Sequence, residues 1–173
     1  MTSSADVAAK VLDRKNCVRV LSDLKRCNWF QQTISPTPTA VIALRVFRHF
    51  KKANPAWAVL SEWCIEILVS HIIKVGAFSS KRIPPSEILR RVLECVSSGV
   101  LLPGGVGVKD PCVEKDTDLA AGLDAADADK LTMDAQRGLR LTVFNKLHEY
   151  LGVPEFTGMK CELKNTTYCQ NND

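Results

Sequence analysis

The stretch of the sequence that most suggests chemistry is Leu101–Lys115, LLPGGVGVKDPCVEK. Glycines beside a lysine are the materials of a phosphate cradle, where backbone N–H groups at a helix start surround the anion and the lysine adds charge. The surroundings do not fit that use. A helical pattern ends before the glycines instead of beginning after them, Lys109 is followed by Asp110, which would repel phosphate, and Pro103 and Pro111 withhold two amide donors. The favoured reading is an ordered loop whose glycines supply positive backbone angles.

Other chemistry-bearing residues form no catalytic pattern. Nucleotidyl transfer through two metals needs carboxylates clustered on a rigid strand pair. Asp124, Asp127, Asp129 and Asp134 fall instead near or within one helix start, where acids complement the helix dipole. Seven cysteines (Cys17, Cys27, Cys64, Cys95, Cys112, Cys161 and Cys169) sit mostly inside apolar helical patterns and read as buried free thiols. No C-x-x-C pair occurs, and His49, His71 and His148 are dispersed, so zinc-ligand spacing is lacking. No Ser/His/Asp or Cys/His arrangement suggests itself. The expectation is a chain with no catalytic residues, no metal site and no cofactor.

The elements around these residues read as helices. At 173 residues, 46% hydrophobic and 24% charged, the chain suits one folded domain and lies far from disordered compositions. Its net charge of +4 is too mild to establish an RNA site. Asp13 can cap a helix to about Gln31, in which Cys17, Val20, Leu21, Leu24 and Cys27 recur at three- and four-residue steps and Trp29 and Phe30 anchor the end. After SPTPT, Thr39 is placed as the cap of a second helix carrying Val41, Ile42, Leu44, Val46, Phe47 and Phe50, ended by KKANPAW. A third, apolar nearly all round, runs from about Ser61 to Val75 and is the expected central helix. Its most apolar part is too short to span a bilayer and carries Glu66 and Lys74, so no membrane is involved.

Ser86 is placed as the cap of a fourth helix, striped by Ile88, Leu89, Val92, Leu93 and Val96, with Gly99 where a terminating glycine belongs. The last helix is predicted from about Asp127 to Leu151. Residues 1–10 and the polar tail 157–173 are expected to be disordered, leaving 11–156 as one mainly α lobe. The N-terminus has neither a basic region nor an apolar core of a secretory signal, so reduced thiols and an unglycosylated Asn165 are expected. Arg45, Arg48 and Lys52, with Lys51 adjacent, make a positive stripe on the second helix. It reads as a solvated face or as a contact with acids of a partner or an RNA backbone. Arg137 and Arg140 make a smaller pair.

Three stretches, taken in order, resemble the DZF domain, the "domain associated with zinc fingers" of the interleukin enhancer-binding factors and the zinc-finger RNA-binding protein. They are VLDRKNCVRVLSDLKRCNWFQ from Val11, RRVLECVSSGVLLPGGVGVKDPC from Arg90 and AQRGLRLTVFNKLHEYLGV from Ala135. The last helix departs from the family's usual QQRED-like start, having DAADADK. The resemblance implies a helical bundle like the C-terminal lobe of a template-free nucleotidyltransferase, with the catalytic N-terminal lobe expected to be missing because ten residues precede Val11.

It further implies a nuclear, non-catalytic module, present in the cytoplasm as well or not. Such a module pairs with another DZF protein, as a heterodimer or a homodimer, and reaches double-stranded RNA indirectly. Contacts are expected from Trp57, Val100, Leu101, Leu102, Pro103, Val106, Val108, Asp110 and Pro111. The alternatives are direct RNA binding through Arg45, Arg48, Lys51 and Lys52 and, last, a remnant nucleotidyltransferase.

Overall fold

A computed structural model describes residues 14–76, 83–113 and 116–155. The expected disordered ends, the Asp13 cap, Cys161, Cys169 and Asn165 lie outside the described residues. Among the described residues seven helices follow in order: α1 (Arg14–Thr33), α2 (Pro38–Ala53), the single turn α3 (Pro55–Ala58), α4 (Glu62–Gly76), α5 (Pro85–Ser97), α6 (Ala125–Val143) and α7 (Leu147–Leu151). Among the described residues no strand forms, and an isolated bridge joins Lys109 to Asp118. The mainly α fold is therefore what the sequence periods predict.

The centre is built from α2, α4 and α5, each packed on the other two. α2 turns Ala40, Ala43, Leu44, Phe47 and Phe50 inward at three- and four-residue steps. Its cap lies two residues before the expected Thr39, because Pro38 is suited to the first helical position and Thr37 precedes it as the cap. Thr39 then falls inside the first turn, where its hydroxyl is buried without a partner.

α4 is buried on several sides, as predicted, from Trp63 through Ser70. Its start is fixed by Ser61, whose Oγ accepts the Cys64 amide at 3.0 Å. α5 buries the expected stripe, Ile88, Leu89, Val92, Leu93 and Val96, but starts at Pro85 with Pro84 before it, so Ser86 is inside the helix and not its cap. Gly99 follows its end at φ +83°, a left-handed angle that closes the helix cheaply only with glycine.

α6 lies along α5, α3 bridges α2 and α6, and α7 folds back on α6. The single last helix predicted to Leu151 is broken in two. Asn145 takes a φ of 58°, its amide bonds to Thr142 O at 3.1 Å and the Lys146 amide reaches Leu141 O at 2.7 Å, the paired hydrogen bonds of a Schellman ending. The break returns Tyr150 to the core, where it is buried beside Phe50 with ring centroids 4.7 Å apart.

α1 departs from expectation in orientation. Val20, Leu21 and Leu24 are 59%, 59% and 56% exposed, and no residue of the helix is buried. At about 100° per residue, Cys17, Val20, Leu24 and Cys27 fall roughly opposite Arg26, Trp29 and Phe30, and the latter set meets the body. The anchoring role expected of Trp29 and Phe30 is thus found, with both packed against the core. Cys64 is the one fully buried thiol among the described residues; Cys17, Cys95 and Cys112 are half-buried, and Cys27, on the outward face of α1, is exposed.

Candidate interaction groove

The glycine-rich loop is ordered by its own hydrogen bonds. The Gly105 amide donates to Leu102 O at 2.8 Å and Gly107 to Val100 O at 3.0 Å, while Asp118 Oδ1 accepts the Val108 amide at 2.8 Å and that of Ala120 at 2.9 Å. Lys109 Nζ pairs with Asp116 at 3.1 Å. These donors, which a phosphate cradle would need free, are engaged within the loop. Gly107 combines a φ of +70° with a site where a Cβ would stand 2.5–2.7 Å from the Asp118 carboxylate. A side chain there would break the turn by both strain and collision.

The same loop delivers Asp110 into the body. Its Oδ2 accepts from Trp63 Nε1 at 3.0 Å and from Arg26 Nη2 at 3.4 Å, and its Oδ1 from the Cys112 amide at 2.9 Å. Four residues expected at a partner contact are consequently inside the molecule: Trp57, Leu101, Val108 and Asp110 are 0%, 3%, 2% and 5% exposed. The Gly107–Val100 hydrogen bond draws the loop ends together and sends Leu101 and Val108 into the core cluster. Val100 and Leu102 are half-buried; Pro103, Val106 and Pro111 remain on the surface.

A different surface gathers apolar side chains, between α3 and α6. Its underside is a polar weld around Asp134. Asn54, the cap of α3, accepts the Ala56 amide at 3.0 Å and donates through Nδ2 to Asp134 Oδ2 at 2.7 Å. Trp57 Nε1 donates to that oxygen and to the Tyr150 hydroxyl, both at 3.0 Å, and the hydroxyl itself donates to Asp134 at 2.8 Å. Burial, then the charge of Asp134, push the Tyr150 hydroxyl pKa up, so it stays a donor. Arg137 closes the set, bound to Asp134 Oδ1 at 2.9 Å and stacked 5.3 Å over the Tyr150 ring. Gly138 makes the approach possible, since a Cβ there would come within 2.6–3.0 Å of the Tyr150 ring.

Above this weld opens a groove of about 930 Å³ with Val59, Met133, Leu141 and Phe144 on its walls. Met133 and Phe144 are 66% and 72% exposed, and Val143 beside them 79%. Lys130, paired with Asp127 at 3.2 Å, and Arg140, which forms no ion pair among the described residues, edge it. This surface has no local signature in the sequence, because its walls come from two separate elements, α3 with Val59 behind it and α6.

The basic stripe of α2 is divided. Arg48 binds Glu66 at 3.0 Å and Glu62 at 3.4 Å, and burial raises the Glu66 pKa against the lowering effect of Arg48. Arg45, Lys51 and Lys52 form no ion pair among the described residues, and Arg45 with His49 edges a smaller apolar cleft of about 340 Å³ between α2 and α7. Among the described residues no group of three His, Cys, Asp or Glu side chains could hold a metal, and no helix is long and apolar enough to cross a membrane.

Residues 39–170 match a family model described as the DZF C-terminal domain. The match takes in the glycine-rich loop, α3 to α7 and all but the first residue of α2, and α1 lies ahead of it.

Proposed function

The chain belongs to the DZF family through its C-terminal domain, and from that premise we propose that it is a non-catalytic pairing module, joining another DZF protein in nuclear RNA-binding complexes that regulate gene expression. The observation that carries this reading is the groove between α3 and α6. An apolar centre of Val59, Met133, Leu141 and Phe144 inside a charged rim is the anatomy of a protein interface. Methionine adapts its shape to an incoming side chain. Arg140, unpaired among the described residues, is placed to receive a carboxylate from the partner.

The absence of catalysis is supported by what the carboxylates already do. Asp110, Asp118 and Asp134 each accept several structural hydrogen bonds, and Asp127 is ion-paired. Double-stranded RNA is then reached through the partner. A second reading, direct RNA contact, is favoured only by Arg45, Lys51 and Lys52, cations with no ion pair among the described residues.

Sedimentation of the chain mixed with a second DZF C-terminal lobe tests the pairing. Complex formation is expected for the wild type and for Val106→Asp. Phe144→Asp and Met133→Asp are expected to lose it while circular dichroism stays unchanged, because a buried unpaired charge costs several kcal/mol, roughly, only where water is excluded. A chain that remains monomeric beside DZF lobes, or groove variants that pair as the wild type does, refutes the reading.

A further inference from the structure

The SPTPT break between α1 and α2 holds a motif that the pairing reading leaves unused. Of the eight prolines, Pro36 and Pro38 alone follow a hydroxyl residue, in the tandem Ser35-Pro36-Thr37-Pro38. A hydroxyl followed by proline is the acceptor pattern of proline-directed kinases, because proline brings no backbone N–H that the kinase would have to satisfy beside the reacting oxygen. The tandem bridges two fully buried anchors, Ile34 and Ala40, and between them Ser35, Pro36 and Pro38 are exposed and Thr37 is half-buried. Thr37 is extended, at φ −109° and ψ 94°, the backbone form that a following proline favours and that an acceptor takes across a kinase cleft. Although it stands at the cap of α2, its hydroxyl makes no cap hydrogen bond, so esterifying it breaks none.

We infer that Thr37 is a phosphorylation site for a proline-directed serine/threonine kinase, and that its phosphate caps α2. The Thr37 hydroxyl oxygen attacks the γ-phosphorus of a nucleoside triphosphate. A P–O ester bond forms as the bond to the β–γ bridging oxygen breaks, the nucleoside diphosphate leaves, and a kinase carboxylate takes the hydroxyl proton. The acceptor tandem marks the site, and the helix end fixes what the charge does there. α2 has no acid in its first turn to repel a phosphate or to complement the dipole already. A cap side chain reaches the second or third amide of its helix. The third, of Ala40, is held by Thr37 O at 3.0 Å, whereas the second, of Thr39, donates to no carbonyl among the described residues and is left for the phosphate. Ser35, the neighbouring acceptor, has the opposite setting. Its own amide closes α1 on Phe30 O at 3.1 Å, so a phosphate there lies beside the negative end of a helix. Modification of one hydroxyl or the other therefore strengthens or weakens the junction between α1 and α2.

Incubating the folded full chain with a purified mitogen-activated protein kinase, ATP and magnesium, and locating phosphate by fragmentation mass spectrometry, tests this. Phosphate is expected on Thr37, with Pro38→Ala slowing its incorporation at least about tenfold and Pro36→Ala changing it by less than about twofold. Circular dichroism checks that both variants fold. The chain phosphorylated at Thr37 should melt about 3 °C higher than the unmodified chain at about pH 7.5, and by a smaller margin near about pH 5, where the phosphate holds a further proton. Ser35→Ala should show the same rise after kinase treatment and Thr37→Val none. The inference fails if the folded chain takes phosphate on Ser35 alone or on neither residue, or if Thr37 is modified only in the denatured chain. It fails equally if Pro38→Ala is modified as fast as the wild type, or if phosphate on Thr37 leaves the melting temperature unchanged or lowers it.

Discussion

At Gly138 the absence of one carbon decides how α7 packs on α6. The Tyr150 ring occupies the space where a Cβ would lie and delivers its hydroxyl to Asp134 and Trp57. Gly138→Ala gains helix propensity but must displace a ring that has no free side, so a net loss of about 1–3 kcal/mol is expected from overpacking. A lowered urea midpoint with unchanged slope would show it; an unchanged or raised midpoint would mean that α7 can shift. Thiol chemistry should separate two residues that the sequence treats alike. Burial, with the charges of Asp118 and Cys95 adding, pushes the Cys64 thiol up to about 12, while Cys27 lies in solvent. Iodoacetamide at mildly alkaline pH should label Cys27 in the native chain and spare Cys64 until denaturant is added. Equal labelling of the two in the folded protein would contradict the burial of α4. Both thiols lie in apolar helical patterns, so spacing alone predicted burial for both. The missing fact was that Trp29 and Phe30, not the cysteine face, meet the body.

Helices were legible in the sequence wherever one face had to be buried, as α4 and α5 show. Their ends were less so. Pro38 and Pro85 set starts one residue before the expected caps Thr39 and Ser86 because proline fits the first turn without needing its missing donor. The turn at Asn145 and the short α3 depend on backbone hydrogen bonds that leave no periodic trace. On α5, Glu87 binds Arg90 and Arg91, and these bonds hold its carboxyl at about 2, below the ordinary value of 4.5. A depressed folded-state pKa means stability that is present above about 4.5 and lost as pH falls toward about 2. Because the cluster faces solvent, Glu87→Gln should cost only about 0.5 kcal/mol at neutral pH and almost nothing at the acid end of that window. Melting curves of both proteins at pH values on either side of it check the sign. A difference that grows on acidification would contradict the assignment.

The groove joins Val59 to Met133 and Phe144, residues far apart in the chain and neighbours only once α3 has docked on α6, which is why no local motif disclosed it. The loop and the basic stripe, by contrast, were local and were found, the loop as the ordered turn it is and the stripe with Arg48 already bound to acids. The excess positive charge of the described helices lies on α1 and α2, whereas the acids and bases of α6 balance, so partner association and RNA association should respond differently to salt. If Arg45, Lys51 and Lys52 each replaced a counterion on duplex RNA, raising salt from about 50 to about 200 mM would weaken binding by about fortyfold, taking a slope near 0.9 per contact. Pairing through an apolar groove whose rim charges are ion-paired except for Arg140 among the described residues has little net charge to screen, and should change by less than about threefold over the same range. Titrating the chain against a DZF C-terminal lobe and against an RNA duplex at both salt concentrations distinguishes these cases. Replacing Arg45, Lys51 and Lys52 together by glutamate should leave lobe binding nearly unchanged. A loss of lobe binding with that triple variant, accompanied by a steep salt slope, would move the interface from α6 to α2.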